Sequence, residues 1–442
     1  MVALARCCKR FDRYCFENPI AAAALLCAAV LYGALLLHTP LALRSSSFSS
    51  LIAPASITAL SGTVTANPVK TAAHGGSYRV TLSVHAVYGD DGASSSARGS
   101  VLLFLPAAFV EAHYPAGLYS LAAAQAVLAE QGERLQVQVR AVRVRDTLTS
   151  ARGEATAFVA TAATSCGWGN TLSARLLRFR ALSRLQFKRL MYAWGEAGGL
   201  VLALLSGSRE YLSATVSAAF IAAGLPHILA LSGMHLSLLA GLARGAGSFV
   251  SRRFSVLLHV SALATFVWFA GLSPSLMRAL LCALITLAFA LLRLPPPTLL
   301  QNLLLAFLLH VALLPQQLYT AAALLSYGAL LGIALFAPLF SRYMFRLLPP
   351  CIGEALSDSA AAQLATAPIS ALLFARIAPI GIVAALVVSP LITLFLYLAL
   401  FGIVLSLALP FLSPLIRAMI ELCYTALQAT VCLFAKVPGI TF

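Results

Sequence analysis

Long, nearly uncharged apolar runs fill the second half of the chain, and their pattern predicts membrane-spanning helices. A helix needs roughly 17–25 apolar residues to cross the hydrocarbon core of a bilayer. Runs that approach or reach this length lie at 227–243, 255–272, 275–292, 299–314, 318–340, 360–376, 380–409 and 414–435. The run at 380–409 contains Pro390, so it is either one interrupted helix or a re-entrant piece followed by a span. We therefore predict a polytopic α-helical membrane protein.

A further apolar run, 20–37, follows a basic N-terminal segment. The run is longer than the apolar part of a usual signal peptide, and no clear small-residue cleavage site follows it. We expect a retained membrane anchor whose basic N-terminal side stays in the cytoplasm.

The region between this anchor and the later spans shows alternating hydrophobicity. Residues 78–84 and 134–139 alternate with a period of two, which is typical of half-buried strands, and 101–105 is a shorter buried-strand candidate. Residues 118–130 predict a short helix between them. Several strands with one helix fit a small barrel such as an OB-fold, and a sandwich fragment is the alternative. We predict an inserted small all-β, OB-like extracytoplasmic domain.

A basic segment follows the predicted β domain. Residues 172–191 carry no acid, and their apolar residues recur at steps of three and four, as in a helix lying along a surface. The cations of this predicted basic surface helix are Arg175, Arg178, Arg180, Arg184, Lys188 and Arg189. Two interpretations stay open: anchoring at the lipid interface, and contact with the phosphates of a nucleic acid.

The distribution of charge predicts how the spans are oriented. The links after the first, third and fifth spans carry arginines, whereas the links after the second and fourth carry no charge. Because cationic loops favour the cytoplasm, the first span starts outside, which agrees with an exported β domain. Composition supports a membrane protein, since 60% of the residues are hydrophobic and 10% are charged. The net charge of +16 suits anionic lipid and nucleic acid equally.

Polar residues that interrupt the apolar runs are the candidate site. Ser232, Gly233 and His235 fall within the first predicted span, where His235 would lie about 14 Å deep at the rise of a helix. An ionisable side chain at that depth faces protein or a water-filled cavity. Arg278 and Gln363 interrupt later spans. Their structural alternatives are snorkelling to the interface for the arginine and hydrogen bonding between helices for the glutamine.

The motifs of common enzymes and metal sites are missing from the sequence. The nine cysteines form no CxxC pair, and no histidine cluster at ligand spacing occurs. A GxxxxGK[ST] nucleotide-binding loop does not occur either. Ser232 and His235 lack an accompanying acid, so a hydrolytic pair is unsupported. We expect no metal, no cofactor and no enzymatic activity.

Residues 207–239 carry an ordered motif. It runs from Gly207-Ser-Arg-Glu210 through an amphipathic stretch to Gly224-Leu-Pro-His-Ile-Leu-Ala-Leu-Ser-Gly-Met-His235. This motif resembles the signature of the ComEC competence channels. Residues 271–279, Gly-Leu-Ser-Pro-Ser-Leu-Met-Arg-Ala, are similar to a second element of that family, and shorter likenesses occur at 325–327 and 361–366.

The chain departs from the pattern of these channels at two points. Leu324 stands where the family usually has Gln before its Leu-Ser-Phe element. The HxHxDH motif of the nuclease domain found in some members does not occur. The resemblance covers roughly residues 20–440, and implies four parts: an anchor, an OB-like domain, basic amphipathic helices and a competence-type transmembrane core. Their expected limits are 1–45, 46–168, 169–225 and 226–442.

The resemblance implies a channel in the bacterial inner membrane that takes up single-stranded DNA during natural transformation. It adds Arg209 and His227 to the candidates for the DNA path. The implied partners are single-stranded DNA, a competence DNA receptor, a cytoplasmic motor and a separate nuclease, and assembly as a homo-oligomer is left open. Two alternatives remain: a permease for small solutes or lipids, and a non-catalytic scaffold that holds a separate nuclease at the membrane.

Overall fold

The computed structural model describes residues 48–71, 76–90, 93–115, 126–144, 155–229, 233–344, 349–437 and 439–441. The described chain divides into two compact units. The barrel unit lies within Leu43–Ala203 and Ser208–Leu212, and the helical unit comprises Leu204–Gly207 and Ser213–Phe442. The predicted anchor at 20–37 lies outside the described residues.

The barrel unit is built around a closed ring of five strands. Its strands are β1 (Ile57–Val64), β2 (Val69–Thr71), β3 (Ser77–Gly89), β4 (Ser94–Ser96), β5 (Ser100–Pro106), β6 (Arg134–Val144) and β7 (Ala155–Ser165). β1 pairs with β3 and β6, β6 pairs with β7, β7 pairs with β5, and β5 pairs with β3, which closes the ring. The β5–β7 pair is parallel and the other four are antiparallel. This is the OB-fold arrangement, so the predicted fold class is confirmed.

The barrel strands follow from their alternating side chains. In β6, Leu135 and Val137 are fully buried, while the alternating residues Gln136 and Gln138 are exposed.

The helix predicted at 118–130 is wrong in its described part, because 126–130 forms no helix. The amide of Leu128 donates to the carboxylate of Glu133 at 3.2 Å, and this side-chain contact takes the place of a helical hydrogen bond.

Three helices accompany the barrel strands. α1 (Ala107–Glu111) follows β5, α2 (Leu172–Ala193) follows β7, and α3 (Gly195–Ser206) comes next. α2 begins at an N-cap, where the Thr171 hydroxyl oxygen accepts a hydrogen bond from the Ala174 amide at 3.3 Å. Ala181 and Leu185 of α2 join the apolar core of the barrel. α2 is therefore a packed part of the barrel unit.

The helical unit contains the predicted apolar runs as helices. They are α4 (Ala214–Ala222), α5 (Pro226–Leu229), α6 (Gly233–Ser248), α7 (Arg252–Ala270), α8 (Pro274–Leu291), α9 (Leu299–Leu313), α10 (Ala321–Met344), α11 (Pro350–Phe374), α12 (Gly381–Ala408) and α13 (Ser413–Ala435). Four stretches are long and apolar enough to cross a membrane: Pro274–Leu291, Ala321–Arg342, Gly381–Ala408 and Pro410–Ala435. The protein is therefore a multi-pass membrane protein.

Two predicted runs can be compared with the helices that they form. The run at 227–243 corresponds to α5 up to Leu229 and to α6 from Gly233, and residues 230–232 between them lie outside the described residues. The run at 380–409 forms the single helix α12, with Pro390 inside it. Of the two alternatives for this run, the structure shows one continuous helix.

Neighbouring helices pack closely where their residues are small. α10 packs along α11, α6 along α7 and α12 along α13. A side chain at Gly332 of α10 would collide with the backbone of Ala361 in α11, so glycine permits this close approach. A short antiparallel ladder joins β8 (Arg376–Ile377) to β9 (Ile440–Thr441).

Candidate functional site

The guanidinium of Arg278 lies where α6, α8 and α10 meet. α8 starts at Pro274 after the N-cap Ser273, which places Arg278 one turn into the helix. Its Nη1 donates to the carbonyl oxygen of Ser326 in α10 at 3.2 Å. A Cβ built on Gly233 in α6 would lie 3.3 Å from its Nη2. The sequence candidates Gly233 and Arg278, 45 residues apart in number, are thus brought into contact.

The charge of Arg278 is buried, and no neutralising partner lies among the described residues. The residue is 8% exposed, and its Nε has no hydrogen-bond partner among the described residues. No described carboxylate forms an ion pair with it. The sequence contains no Asp or Glu between Glu210 and Glu354. Because a buried unpaired charge is costly, an anion bound at this position would offset part of that cost.

A chain of polar side chains continues from this site through α9 and α10. The hydroxyl of Tyr327, next to Ser326, lies 3.1 Å from Nδ1 of His310 in α9. Nε2 of His310 lies 3.3 Å from Oε1 of Gln317. Nε2 of Gln317 in turn donates to the carbonyl oxygen of Leu272 at 3.4 Å. His310 is fully buried, so an apolar bundle encloses an extended polar network.

Sequence reasoning missed His310 and Gln317 as candidates. His310 is a polar residue near the end of an apolar run, and Gln317 lies in the short link before the next helix. Both features are common in structural positions, so neither stood out. The sequence feature that could have indicated this site is the long stretch without Asp or Glu between Glu210 and Glu354. Cations and histidines within that stretch have no carboxylate near them in sequence.

The first-span candidates fall in and between α5 and α6. His235 belongs to the described part of α6, which starts at Gly233, and its depth of about 14 Å stays a prediction. His235 is 1% exposed and faces protein. Ser232 lies outside the described residues. His227 is exposed on the short helix α5.

Gln363 belongs to a separate cluster in the helical unit. Its Nε2 donates to the carbonyl oxygen of Ala378 at 3.2 Å, which ties α11 to the segment before α12. Gly224, with φ of 75°, approaches the same carbonyl, and a Cβ built there would lie 2.8 Å from that oxygen. This geometry supports the structural alternative for Gln363, which is hydrogen bonding between helices.

The predicted basic surface helix is wrong for most of its cations. Arg175 and Arg178 are exposed on α2. The other four are buried, with exposed fractions of 2–4%: Arg180, Arg184, Lys188 and Arg189. The apolar side chains of Leu172, Leu176 and Phe179 are instead 75%, 51% and 62% exposed. Acidic partners far away in sequence draw Arg184 and Lys188 inward, and local periodicity does not show these partners. Arg180 donates to the side chain of Gln131, and Arg189 donates to the carbonyl oxygen of His113.

Arg184 and Lys188 form a network with two glutamates of the barrel unit. Nε of Arg184 lies 3.0 Å from Oε2 of Glu130. Nζ of Lys188 lies 3.2 Å from Glu130 and 2.9 Å from Glu210. The hydroxyl of Ser208 donates to Glu210 at 2.6 Å, so the Gly207–Glu210 motif ends inside the network. Arg209, between these two residues, is exposed.

The pKa values of the network follow from its charges. Burial raises the pKa of the Glu130 carboxyl, but the charges of Arg184 and Lys188 outweigh burial and lower the pKa to about 2. Burial also raises the pKa of Glu210, and Lys188 brings it below its usual value. Burial lowers the pKa of Lys188, and the two glutamates reverse this and raise it. Glu130, Glu210 and Lys188 are therefore charged at neutral pH.

Comparison with known proteins decides the family. A family model described as Competence protein matches residues 204–442, which is more than half of the chain. The chain belongs to the competence protein family. The Arg278 site, His310 and the complete run of helices from α4 to α13 lie within the matched residues.

One curated relative matches part of this competence-family protein. ComE operon protein 3 of Bacillus subtilis (strain 168) is 28% identical over 183 residues, covering 39% of this chain and 22% of the relative. The match thus spans about a fifth of the relative's length. No solved structure matches the chain.

Proposed function

We propose that this competence-family protein is a membrane channel for single-stranded DNA during natural transformation. The observation that carries the proposal is the buried guanidinium of Arg278, which lies in a membrane-spanning helix with no carboxylate partner among the described residues. A polyanion cannot cross hydrocarbon by itself, so a path for it must supply cations and polar groups inside the bundle.

Arg278 suits a phosphate that has to move on after binding. A guanidinium offers a planar fork of donors that matches phosphate oxygens. Among the described residues, the guanidinium donates a hydrogen bond from Nη1 to the Ser326 carbonyl, and its Nε has no partner. In the proposed path, this unpaired donor binds a passing phosphate. A channel requires such binding to be strong enough for entry and weak enough for release.

The remaining parts of the proposal concern orientation and partners. In the proposed arrangement the barrel unit lies outside the cytoplasm, and the exposed Arg175, Arg178 and Arg209 meet the incoming strand. The membrane is the bacterial inner membrane. A DNA receptor would deliver the strand, a separate nuclease would produce it, and a cytoplasmic motor would pull it. The motor is separate because the sequence has no GxxxxGK[ST] loop.

The test is entry of labelled DNA into the cytosol of the host strain with its own copy deleted. The strain is complemented with wild type, with Arg278→Gln or with Arg293→Gln. Arg293 is an exposed arginine just after the end of the same helix, so it is the matched control. We expect Arg278→Gln to reduce entry by about tenfold to a hundredfold, the effect of losing charge-assisted hydrogen bonds. Arg293→Gln should leave entry unchanged.

Two results would contradict the proposal. Unchanged entry in the deletion strain would remove the channel function, and a solute or lipid role would then have to be tested directly. Normal entry with Arg278→Gln at normal expression would remove Arg278 from the path while leaving the channel itself standing. Membrane fractionation and immunoblotting establish the expression of each variant.

A further inference from the structure

The hydrogen bonds around His310 fix which of its ring nitrogens carries a proton. Nε2 of Gln317 donates to the Leu272 carbonyl, which can only accept, and this sets the orientation of the amide. Oε1 of Gln317 therefore faces the imidazole ring, 3.3 Å from Nε2 of His310. Because an amide oxygen can only accept, Nε2 of the histidine must donate. Nδ1 is then the nitrogen that gains or loses a proton.

Tyr327 can complete the hydrogen bonding of His310 in either protonation state. When the ring is neutral, the Tyr327 hydroxyl donates to Nδ1 across 3.1 Å. When Nδ1 is protonated, it donates to the tyrosine oxygen, and the hydroxyl proton turns to the carbonyl oxygen of Ala306 at 3.4 Å. Both states leave every ring nitrogen paired. The hydrogen bonding of this fully buried histidine therefore does not have to break when the ring changes its protonation state.

The charges around His310 determine whether its protonated, positively charged ring is stabilised. The elements packed against α9 are α8, α10 and the turn at Pro315–Tyr319. Their titratable or charged described groups are Arg278 and Cys282 on α8, Tyr327 and the exposed Arg342 on α10, and Tyr319 in the turn. None of these elements contains Asp or Glu. A protonated His310 would thus add a second positive charge to a group of elements that already holds Arg278 and has no carboxylate to balance it.

We infer that His310 takes up a proton when an anionic group, such as a phosphate, binds at Arg278. The anion supplies the negative charge that these elements lack, and the Tyr327 relay supplies the hydrogen-bond partner for the protonated ring. This inference rests on the proposed function, because it takes the anion to be a phosphate of the DNA strand. It assigns to His310 a proton site that is linked to anion binding.

Thermodynamic linkage between proton uptake and DNA binding gives the direction in which pH changes the affinity. If binding of the strand is accompanied by proton uptake, lower pH strengthens binding, and one proton gives at most about tenfold in affinity per pH unit. A neutral side chain at position 310 removes this dependence. The same argument applies to the hydroxyl of Tyr327, without which the protonated ring loses its acceptor.

The experiment measures the affinity of the full-chain protein in detergent micelles for a fluorescent thymidine oligonucleotide between pH 5.5 and 8. We expect the affinity of wild type to rise as pH falls. His310→Gln and Tyr327→Phe should flatten this dependence, and Tyr327→Phe preserves the ring that packs against Phe307. His259→Gln is the matched control within the helical unit, because Nδ1 of His259 bonds the Ala240 carbonyl at 3.0 Å and this histidine takes no part in the network around His310. The His259→Gln variant should keep the wild-type dependence of affinity on pH.

Other dependences of DNA affinity on pH would contradict the inference. A wild-type affinity that does not change with pH, or a slope that survives in folded His310→Gln, shows that His310 takes up no linked proton. A slope that disappears in His85→Gln places the proton on the barrel surface, where His85 is exposed. Size-exclusion profiles identify variants that fail to fold, and Tyr327→Phe then decides the outcome. The DNA-entry assay with Arg278→Gln is independent of these slopes, so the proposed function stands or fails separately.

Discussion

At the scale of single residues, the site depends on the fit between a guanidinium and a glycine. Arg278 passes beside Gly233, and the space for its Nη2 exists because position 233 has no Cβ. The Ser326 carbonyl then holds Nη1 at 3.2 Å. A small change at position 233 should therefore act on the arginine while leaving the helices in place.

Gly233→Ala tests this fit. The new methyl group would lie 3.3 Å from both Nη2 of Arg278 and Cβ of Ala279, which is tight enough to displace the guanidinium. We expect DNA entry to fall, with a change of about 1 kcal/mol or less in stability. Gly241→Ala in the same helix is the control, because a Cβ there meets nothing within 4 Å. Equal entry with both variants would show that the contact is unimportant.

A second residue-scale prediction concerns Glu133 in the barrel unit. Burial raises the pKa of its carboxyl to about 7, although the Ser165 hydroxyl donates to it at 2.6 Å. The folded state then holds a proton that the unfolded state releases above its pKa of 4.5. The contribution of the protonated Glu133 to the free energy of unfolding is fully present below pH 4.5. It is lost as pH rises to 7, which lowers the stability by up to about 3 kcal/mol.

Glu133→Gln should remove the decrease in stability between pH 4.5 and 7, because an amide carries no charge to bury. We expect the melting temperature of the barrel unit to rise at pH 8 and to change little at pH 4.5, as followed by thermal unfolding of the full chain in detergent. Asp90→Asn, at an exposed position, should change neither value. A Glu133→Gln protein that is less stable at pH 8 would contradict the buried-charge explanation.

At the scale of elements, α2 shows how partners decide which face of a helix is buried. Its cations at 180, 184 and 188 follow a four-residue step, so they share one side of the helix. That side faces Glu130 and Glu210, while the leucines near its start remain exposed. α2 is thus held to the barrel unit partly by buried ion pairs.

Lys188→Met tests the contribution of these pairs. It removes the cation that bridges Glu130 and Glu210, and breaking a buried pair in this way costs about 3–5 kcal/mol. We expect a large drop in the unfolding free energy of the barrel unit, measured by urea denaturation of the full chain. The exposed Arg175→Met on the same helix should change it by about 0.5 kcal/mol or less. Similar losses in both variants would indicate a general effect of charge.

At the scale of the whole molecule, the β8–β9 ladder constrains how the last helices cross the membrane. β8 precedes α12 and β9 follows α13, and the two strands pair directly. Pairing requires both strands on one side of the membrane, so α12 and α13 together make an even number of crossings. This agrees with α12 being one continuous helix. The alternation of charged links, continued to this point, predicts that the shared side is the outside.

Paired cysteines test this arrangement. Ile377 and Ile440 are direct partners in the ladder, so Ile377→Cys combined with Ile440→Cys should form a disulfide on mild oxidation. Mass spectrometry of peptides detects the bond, and each single variant is the control. With the native cysteines replaced by serine, a membrane-impermeant maleimide added to intact cells should label both single variants. Labelling of only one would show that the two positions lie on opposite sides.

The sequence by itself determined the features that depend on neighbouring residues. Apolar length set the positions of the helices from α7 to α13, because crossing a membrane is a local requirement of hydrophobic length. Alternation set the strands of the barrel unit, because successive side chains of a strand point to opposite faces. The motif at 207–239 indicated the family that the comparison then established.

Only the tertiary structure decided which polar groups meet. Glu130, Lys188 and Glu210 come from distant parts of the chain, so no local pattern could show that α2 buries its cations. Arg278 and Gly233 likewise meet only when α6 and α8 pack together. The burial of a charge is decided by the partners available to it in space, since an unpaired buried charge is costly. The sequence therefore supplied the elements, and packing decided where their charges lie.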